Sequence, residues 1–169
     1  SLSYAQANSL DRFIREAAVR NGFEDPKTIN PTVDPKLAEV GRVFFETEHL
    51  SYNRSISCKD CHLDQFGSAD GIPNGIGVGG EGVGAQRALS GGEVIPRNTL
   101  PLWGRGLINF DTLFWDGKIQ RIGDSLISPF GSEIPSNDPL VVAIHLPAVE
   151  IREMIVEDDL VAKSKVEKP

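Results

Sequence analysis

Cys58-Lys59-Asp60-Cys61-His62 is the single C-x-x-C-H of this 169-residue chain, and it uses both of the chain's cysteines. The spacing is that of covalent c-type haem attachment. Two thiols three positions apart can add to the two vinyl groups of one porphyrin. His62 then lies under the iron and can supply its proximal nitrogen. A chain built this way has to fold around a large flat cofactor. The competing reading is a C-x-x-C zinc or redox pair that happens to precede a histidine. Zinc would need further ligands nearby, and only His49 and His145 remain. A redox pair would sit near a βαβ pattern, and none is visible.

The length suits one domain, or one domain with extensions, and is enough to bury a core around a cofactor. The formal net charge is -7, and haem propionates would add to it. Nucleic acid binding needs a basic footprint and is excluded as a partner. A basic redox partner, steered by opposite charge, is the complementary expectation. No apolar run reaches the length of a membrane span, and no signal peptide opens at Ser1. Haem is attached to this motif outside the bacterial cytoplasm, so a periplasmic or otherwise exported protein is expected, its leader removed.

Residues 4–20 read as an amphipathic helix with Leu10, Phe13, Ile14 and Ala17 on one face, stopped at Asn21-Gly22. Residues 23–34 read as loop. A second helix is predicted from Pro35 to Thr47, with Asp34 as N-cap, Pro35 in the first turn and a buried stripe of Leu37, Val40, Val43 and Phe44. The haem motif is expected on a short helix near Ser57 to Leu63. Residues 137–145 and 149–157 read as two helical pieces broken at Pro147. Leu140, Val141, Ile144 and His145 share one face of the first, and Ile151, Met154 and Ile155 one face of the second. The expected fold is mainly α, a cytochrome c-like haem domain with long irregular connections. Three parts are expected: an N-terminal helical extension (1–30), a haem domain (31–157) and a charged tail or severed interdomain linker (158–169).

Between residues 71 and 96 the chain holds nine glycines and few large side chains. One reading is a flexible surface loop. The other is a loop whose backbone packs close to the distal face of the haem, where the missing Cβ matters.

The ordered set of segments from about Pro35 to Met154 resembles the amino-terminal haem domain of the bacterial di-haem cytochrome c peroxidase family, including its MauG-type members. Gly41-Arg42-Val43-Phe44-Phe45 is similar to the helix motif before the haem site. Leu50-Ser51 and Ser55-Ile56-Ser57-Cys58 resemble the approach to the first cysteine. Phe66-Gly67 to Asp70-Gly71, Arg97-Asn98-Thr99 and Phe114-Trp115-Asp116-Gly117-Lys118 follow in family order, the last with Lys where Arg is usual. Asn137-Asp138-Pro139-Leu140 and Arg152-Glu153-Met154 resemble the closing helix. The resemblance implies haem c as cofactor and hydrogen peroxide as substrate. It also implies a second haem-bearing domain or chain as partner, a small electron-donor protein, and a calcium ion between domains whose ligands cannot be assigned. Two departures stand out. No second C-x-x-C-H occurs before Pro169, which implies a severed chain, a fragment or a separate haem partner. The Gly77–Gly82 segment lacks the histidine that many members place over the iron, which implies a distal site already open.

A peroxidase needs a proximal donor, an open distal face and an acid–base group. His62 is the proximal donor. The resemblance puts the acid–base position at Gly123 and its neighbour Asp124, with Glu81 and Glu133 as alternatives. The competing reading of Asp124, and the stronger one, is an N-cap before an apolar run. Trp103 falls where members place an aromatic between haems, a stepping stone for electrons. It reads equally as a core residue. Trp115 is expected to pack structurally beside the haem domain core. Arg97 can pair with a propionate or form a surface salt bridge. Met154 can be a sixth ligand, but its helical apolar spacing favours the core. His145 reads as a satisfied core or interface histidine, and His49 as facing solvent or a propionate. Two functions compete: the peroxide-reacting half of a di-haem oxidoreductase, and an electron-transfer subunit with a six-coordinate iron. A haem sensor or assembly module is a third class.

Overall fold

The computed structural model describes residues 4–29, 32–107 and 109–156. The chain divides into two compact units, 1–32 and 33–169. The charged tail from Glu157 onward lies outside the described residues.

In the first unit, helix α1 spans Tyr4–Arg20. It ends because Gly22 adopts φ +77°, a conformation that costs glycine little. The Phe23 N–H then reaches back to the Ala18 carbonyl (3.0 Å), and the Gly22 N–H to the Val19 carbonyl (3.1 Å). This is a Schellman cap, which satisfies the last carbonyls of the helix. A four-residue helix, α2 (Pro26–Ile29), interrupts the stretch read as loop.

The second unit opens with helix α3 (Pro35–Glu46). Asp34 caps it, its carboxylate accepting from the N–H groups of Lys36 (2.8 Å) and Leu37 (3.4 Å). Pro35 occupies the first turn, where its missing N–H costs nothing. Arg42 joins Glu39 (2.6 Å) and Glu46 (2.7 Å) across successive turns. The stripe of Leu37, Val40, Val43 and Phe44, expected to be buried, is exposed. Periodicity tells which side chains share a face, not whether the chain itself covers that face.

The expectation of a mainly α fold does not hold. Among the described residues, the α-helices besides α1 and α3 have only four or five residues: α2, α4 (Ala85–Ala88) and α5 (Pro139–Ala143). Residues 112–127 instead form an antiparallel sheet of β1 (Thr112–Leu113), β2 (Ile119–Ile122) and β3 (Ser125–Ile127), in that order. Leu113 pairs with Ile119, and Gln120 with Ile127. Ile122 faces Ser125, so Gly123-Asp124 is a two-residue hairpin turn, with Gly123 at φ +58°. Such a turn follows the right-handed twist of the strands it joins. Strands of two to four residues are too short to show alternation.

Leu113, Ile119 and Leu126 from the sheet meet Val142, Ala143 and Leu146 in the main core. Asp138 caps α5 through the N–H groups of Leu140 (2.8 Å) and Val141 (3.3 Å). The buried face of this segment is therefore Val142-Ala143-Leu146. The expected face fails, since Val141, Ile144 and His145 are exposed. The helix expected over 149–157 is not found among its described residues either. Pro147–Val149 is a single 3-10 turn, and Ile151 bridges Ile155. No helix among the described residues is long and apolar enough to cross a membrane.

The glycine-rich stretch is packed, which rules out the flexible-loop reading. Ile72, Ile76 and Val78 are buried, and Ile76 bridges Val94. The glycines allow backbone to lie on backbone. A Cβ on Gly77 would fall 1.7 Å from the carbonyl oxygen of Arg152, and one on Gly92 would fall 2.4 Å from the Gly80 nitrogen.

Candidate haem-attachment site

The approach to Cys58 is set by serines. Ser51 is buried, and its Oγ accepts from the N–H groups of Ser55 (3.1 Å) and Ile56 (3.3 Å). Asp60 folds back on Ser57, accepting from its N–H and its hydroxyl, both at 2.7 Å. This closes the 3-10 turn Cys58–Asp60. The His62 N–H then donates to the Cys58 carbonyl at 3.0 Å. One tight turn thus carries both sulfurs and the imidazole.

Both thiols are free and half-buried. Burial pushes the Cys58 thiol up from its ordinary range. Burial also pushes Cys61 up to about 11, with Arg87 pulling the other way and Asp70 adding to the rise. At neutral pH both sulfurs are therefore thiols, not thiolates. The S–H of Cys61 points to the Ile76 carbonyl at 3.6 Å.

His62 Nδ1 lies 2.9 Å from the carbonyl oxygen of Ser68. A carbonyl only accepts, so Nδ1 carries the proton. Nε2 is left as the nitrogen with a lone pair for a metal. Burial lowers the His62 pKa, opposed by the Ser68 carbonyl, the Asp70 charge and the Leu100 carbonyl. The ring sits 6.3 Å from that of Phe45 on α3. Phe45, Glu46, Lys59, Asp60, His62, Leu63 and Asp64 line an open cleft of about 330 Å³.

This donor set fits a covalently held haem: two free thiols on one turn, an imidazole in the required tautomer, and an opening lined by that imidazole. Zinc fits less well. Among the described residues, no three His, Cys, Asp or Glu side chains gather as a metal-binding group. For the same reason none is assigned to calcium.

The other expected site residues are spread over the second unit. Trp103 is 63% exposed, so the core alternative does not describe it. Its backbone N–H donates to Ser68 Oγ at 2.8 Å, beside that of Leu102 at 2.6 Å. Asp124 sits exposed at the tip of the β2–β3 hairpin. The N-cap alternative fails there because a strand follows it. The dipeptide Gly123-Asp124 is itself a sequence signal for such a hairpin turn. Glu81 and Glu133 are also exposed. Arg97 is exposed, and its carbonyl accepts from the Gly75 N–H at 2.8 Å.

Met154 is buried with Ile56 and Val78, against Cys61, as a core residue is. Trp115, expected to pack beside the core, is 82% exposed in the β1–β2 turn. There Phe114 takes φ +68°, a conformation that is an outlier for a bulky residue. Lys118 spans this turn, 4.5 Å from the Phe114 ring centroid and 3.2 Å from Glu150. His49 is exposed and bonds Thr47, while His145 is exposed and meets the Phe130 ring edge-on. Sequence reasoning missed Ser68, Asp70 and Arg87, each buried beside the motif.

Comparison with curated proteins and with solved structures gave no match. The family model for di-haem cytochrome c peroxidase matches residues 35–150. That span opens at α3, includes the Cys58–His62 turn and the sheet, and runs past α5. The match and the single turn that presents two thiols with a Nδ1-protonated imidazole agree: this chain belongs to the di-haem cytochrome c peroxidase family.

Proposed function

We propose that this chain is an exported haem c protein and the peroxide-reacting part of a di-haem oxidoreductase. Bound haem would supply an iron able to exchange electrons and to accept a small ligand. The observation that carries the reading is the His62 geometry, with Nδ1–H committed to Ser68 and Nε2 left to bind iron. Such a bond orients the ring and raises its basicity, the property a proximal donor needs. Cys58 and Cys61 would form the two thioethers.

The packing of Met154 among Ile56 and Val78 supports a sixth position without a methionine. In this scheme Asp124 moves the proton, from a turn open to solvent. Arg97 would hold a propionate. Trp103, whose backbone N–H meets the same Ser68 that holds His62, would be the stepping stone for electrons toward a second haem in another domain or chain. A small basic electron-donor protein suits the net charge of -7.

A second reading, an electron-transfer subunit without catalysis, is favoured by one observation. Asp124, Glu81 and Glu133 are all exposed, so none of them stands in an enclosed site. The absorption spectrum of the ferric protein with and without cyanide separates the two. Peroxide reactivity requires a spectral change on cyanide binding. A low-spin spectrum indifferent to cyanide leaves only electron transfer. A purified protein without covalent pigment removes both.

A further inference from the structure

We propose that Arg87 and Asp70, two buried side chains of opposite charge beside the Cys58–His62 turn, set the reduction potential of the haem iron in opposite directions. This rests on the haem reading above.

Arg87, on α4, is 3% exposed. Its Nε donates to the Ile76 carbonyl at 2.9 Å and its Nη2 to the Gly77 carbonyl at 3.3 Å. Asp70 is 0% exposed. Its Oδ1 accepts from the Ile72 N–H at 3.3 Å and its Oδ2 from the Thr99 hydroxyl at 2.8 Å. Neither belongs to any ion pair among the described residues. Buried charges are normally paired, because desolvating an ion is costly. Here each is held by dipoles alone, and its field is not cancelled by contact with an opposite charge.

Both fields reach the attachment turn. The Ile76 carbonyl that accepts from Arg87 also accepts from Cys61, so the guanidinium stands one carbonyl away from that sulfur. Asp70 directly follows Ala69, whose carbonyl accepts from the Leu63 N–H at 2.9 Å beside His62, and it lies two residues from Ser68, whose carbonyl holds the imidazole at 2.9 Å. The loop is shaped to seat the guanidinium. A Cβ on Gly80 would fall 2.9 Å from Arg87 Cζ.

Partnership with a propionate does not account for Arg87. In haem, the vinyl-bearing pyrroles that thioethers use lie across the ring from the propionates. A cation beside Cys61 therefore acts on the macrocycle and its iron. One-electron reduction adds an electron to the centre, and no bond forms or breaks. A fixed cation in a poorly screened interior favours the reduced state, and a fixed carboxylate the oxidised one.

The test uses the full chain carrying covalent haem, titrated potentiometrically with dithionite and mediators at fixed pH and ionic strength. Arg87→Gln is expected to shift the midpoint to lower potential and Asp70→Asn to higher potential. Arg87→Lys keeps the charge and is expected to hold the parent value. Shifts of the same sign, or no shift in either neutral variant, overturn the proposal. Should Arg87→Gln fail to fold, the sign of the Asp70→Asn shift decides. A parent protein without covalent haem refutes the haem reading instead, and its absorption spectrum reveals this before any variant is made.

Discussion

Ser68 holds His62 by its backbone and Trp103 by its side chain: its carbonyl accepts the imidazole Nδ1–H at 2.9 Å, and its hydroxyl accepts the Trp103 backbone N–H at 2.8 Å. Ser68 does this from a left-handed conformation, φ +61°, which is uncommon for a residue with a Cβ. One buried residue thus ties the imidazole to an exposed tryptophan far along the chain.

Removing only the hydroxyl separates these roles. Ser68→Ala leaves the carbonyl but strips two partly buried backbone N–H donors, those of Leu102 and Trp103, of their acceptor. Leaving such groups unsatisfied costs about 1–3 kcal/mol. Urea unfolding is expected to show that loss, with haem still covalently bound. An unchanged midpoint would mean that water replaces the hydroxyl.

Gly77 is the glycine least open to substitution. Gly77→Ala places a methyl 1.7 Å from the Arg152 carbonyl oxygen, a backbone atom unable to rotate away. Overpacking of this kind typically costs about 1–3 kcal/mol, and sometimes more. A fall in the urea midpoint with an unchanged m-value is the expected signature. Gly22→Ala offers a contrast. No atom lies within 4 Å of its Cβ, so only the left-handed backbone is penalised, by about 1 kcal/mol.

Glu153 makes stability depend on pH. Burial raises its pKa, Glu150 adds to the rise and Lys118 opposes it. The folded chain therefore holds this proton more tightly than the unfolded chain does. Its contribution to stability is complete below the unfolded carboxylate pKa and is lost as pH rises through the raised folded value. Glu153→Gln keeps the shape without the charge. Its Tm is expected to exceed the parent's at neutral pH, with the difference shrinking as the solution is acidified. A constant difference across pH would show that Glu153 ionises normally in the fold.

Asp124→Asn tests the acid–base proposal. The hairpin turn tolerates Asn as well as Asp, so folding and the ferric spectrum should persist. Peroxide turnover is expected to fall about 100-fold, the lower range for loss of a positioned proton donor. Turnover equal to the parent's would release Asp124 from that role and turn attention to Glu81 and Glu133.

Local chemistry was determined by the sequence alone. The attachment motif, the Asp34 and Asp138 positions beside prolines, and the stop at Gly22 all act within four or five residues, so they are visible in one dimension. The family resemblance rests on the same kind of signal, an ordered series of short motifs. Tertiary structure alone decided which faces are covered. The α3 stripe has a helical period yet lies exposed, and α5 turns Val142 and Ala143 inward rather than Val141 and Ile144. It decided the sheet, whose strands are too short to carry a pattern. It also decided the surroundings of the site: Ser68 meets Trp103 across 35 residues, and Arg87 reaches Ile76 across 11. Burial and electrostatic fields depend on distance in space, and only the folded chain sets those distances.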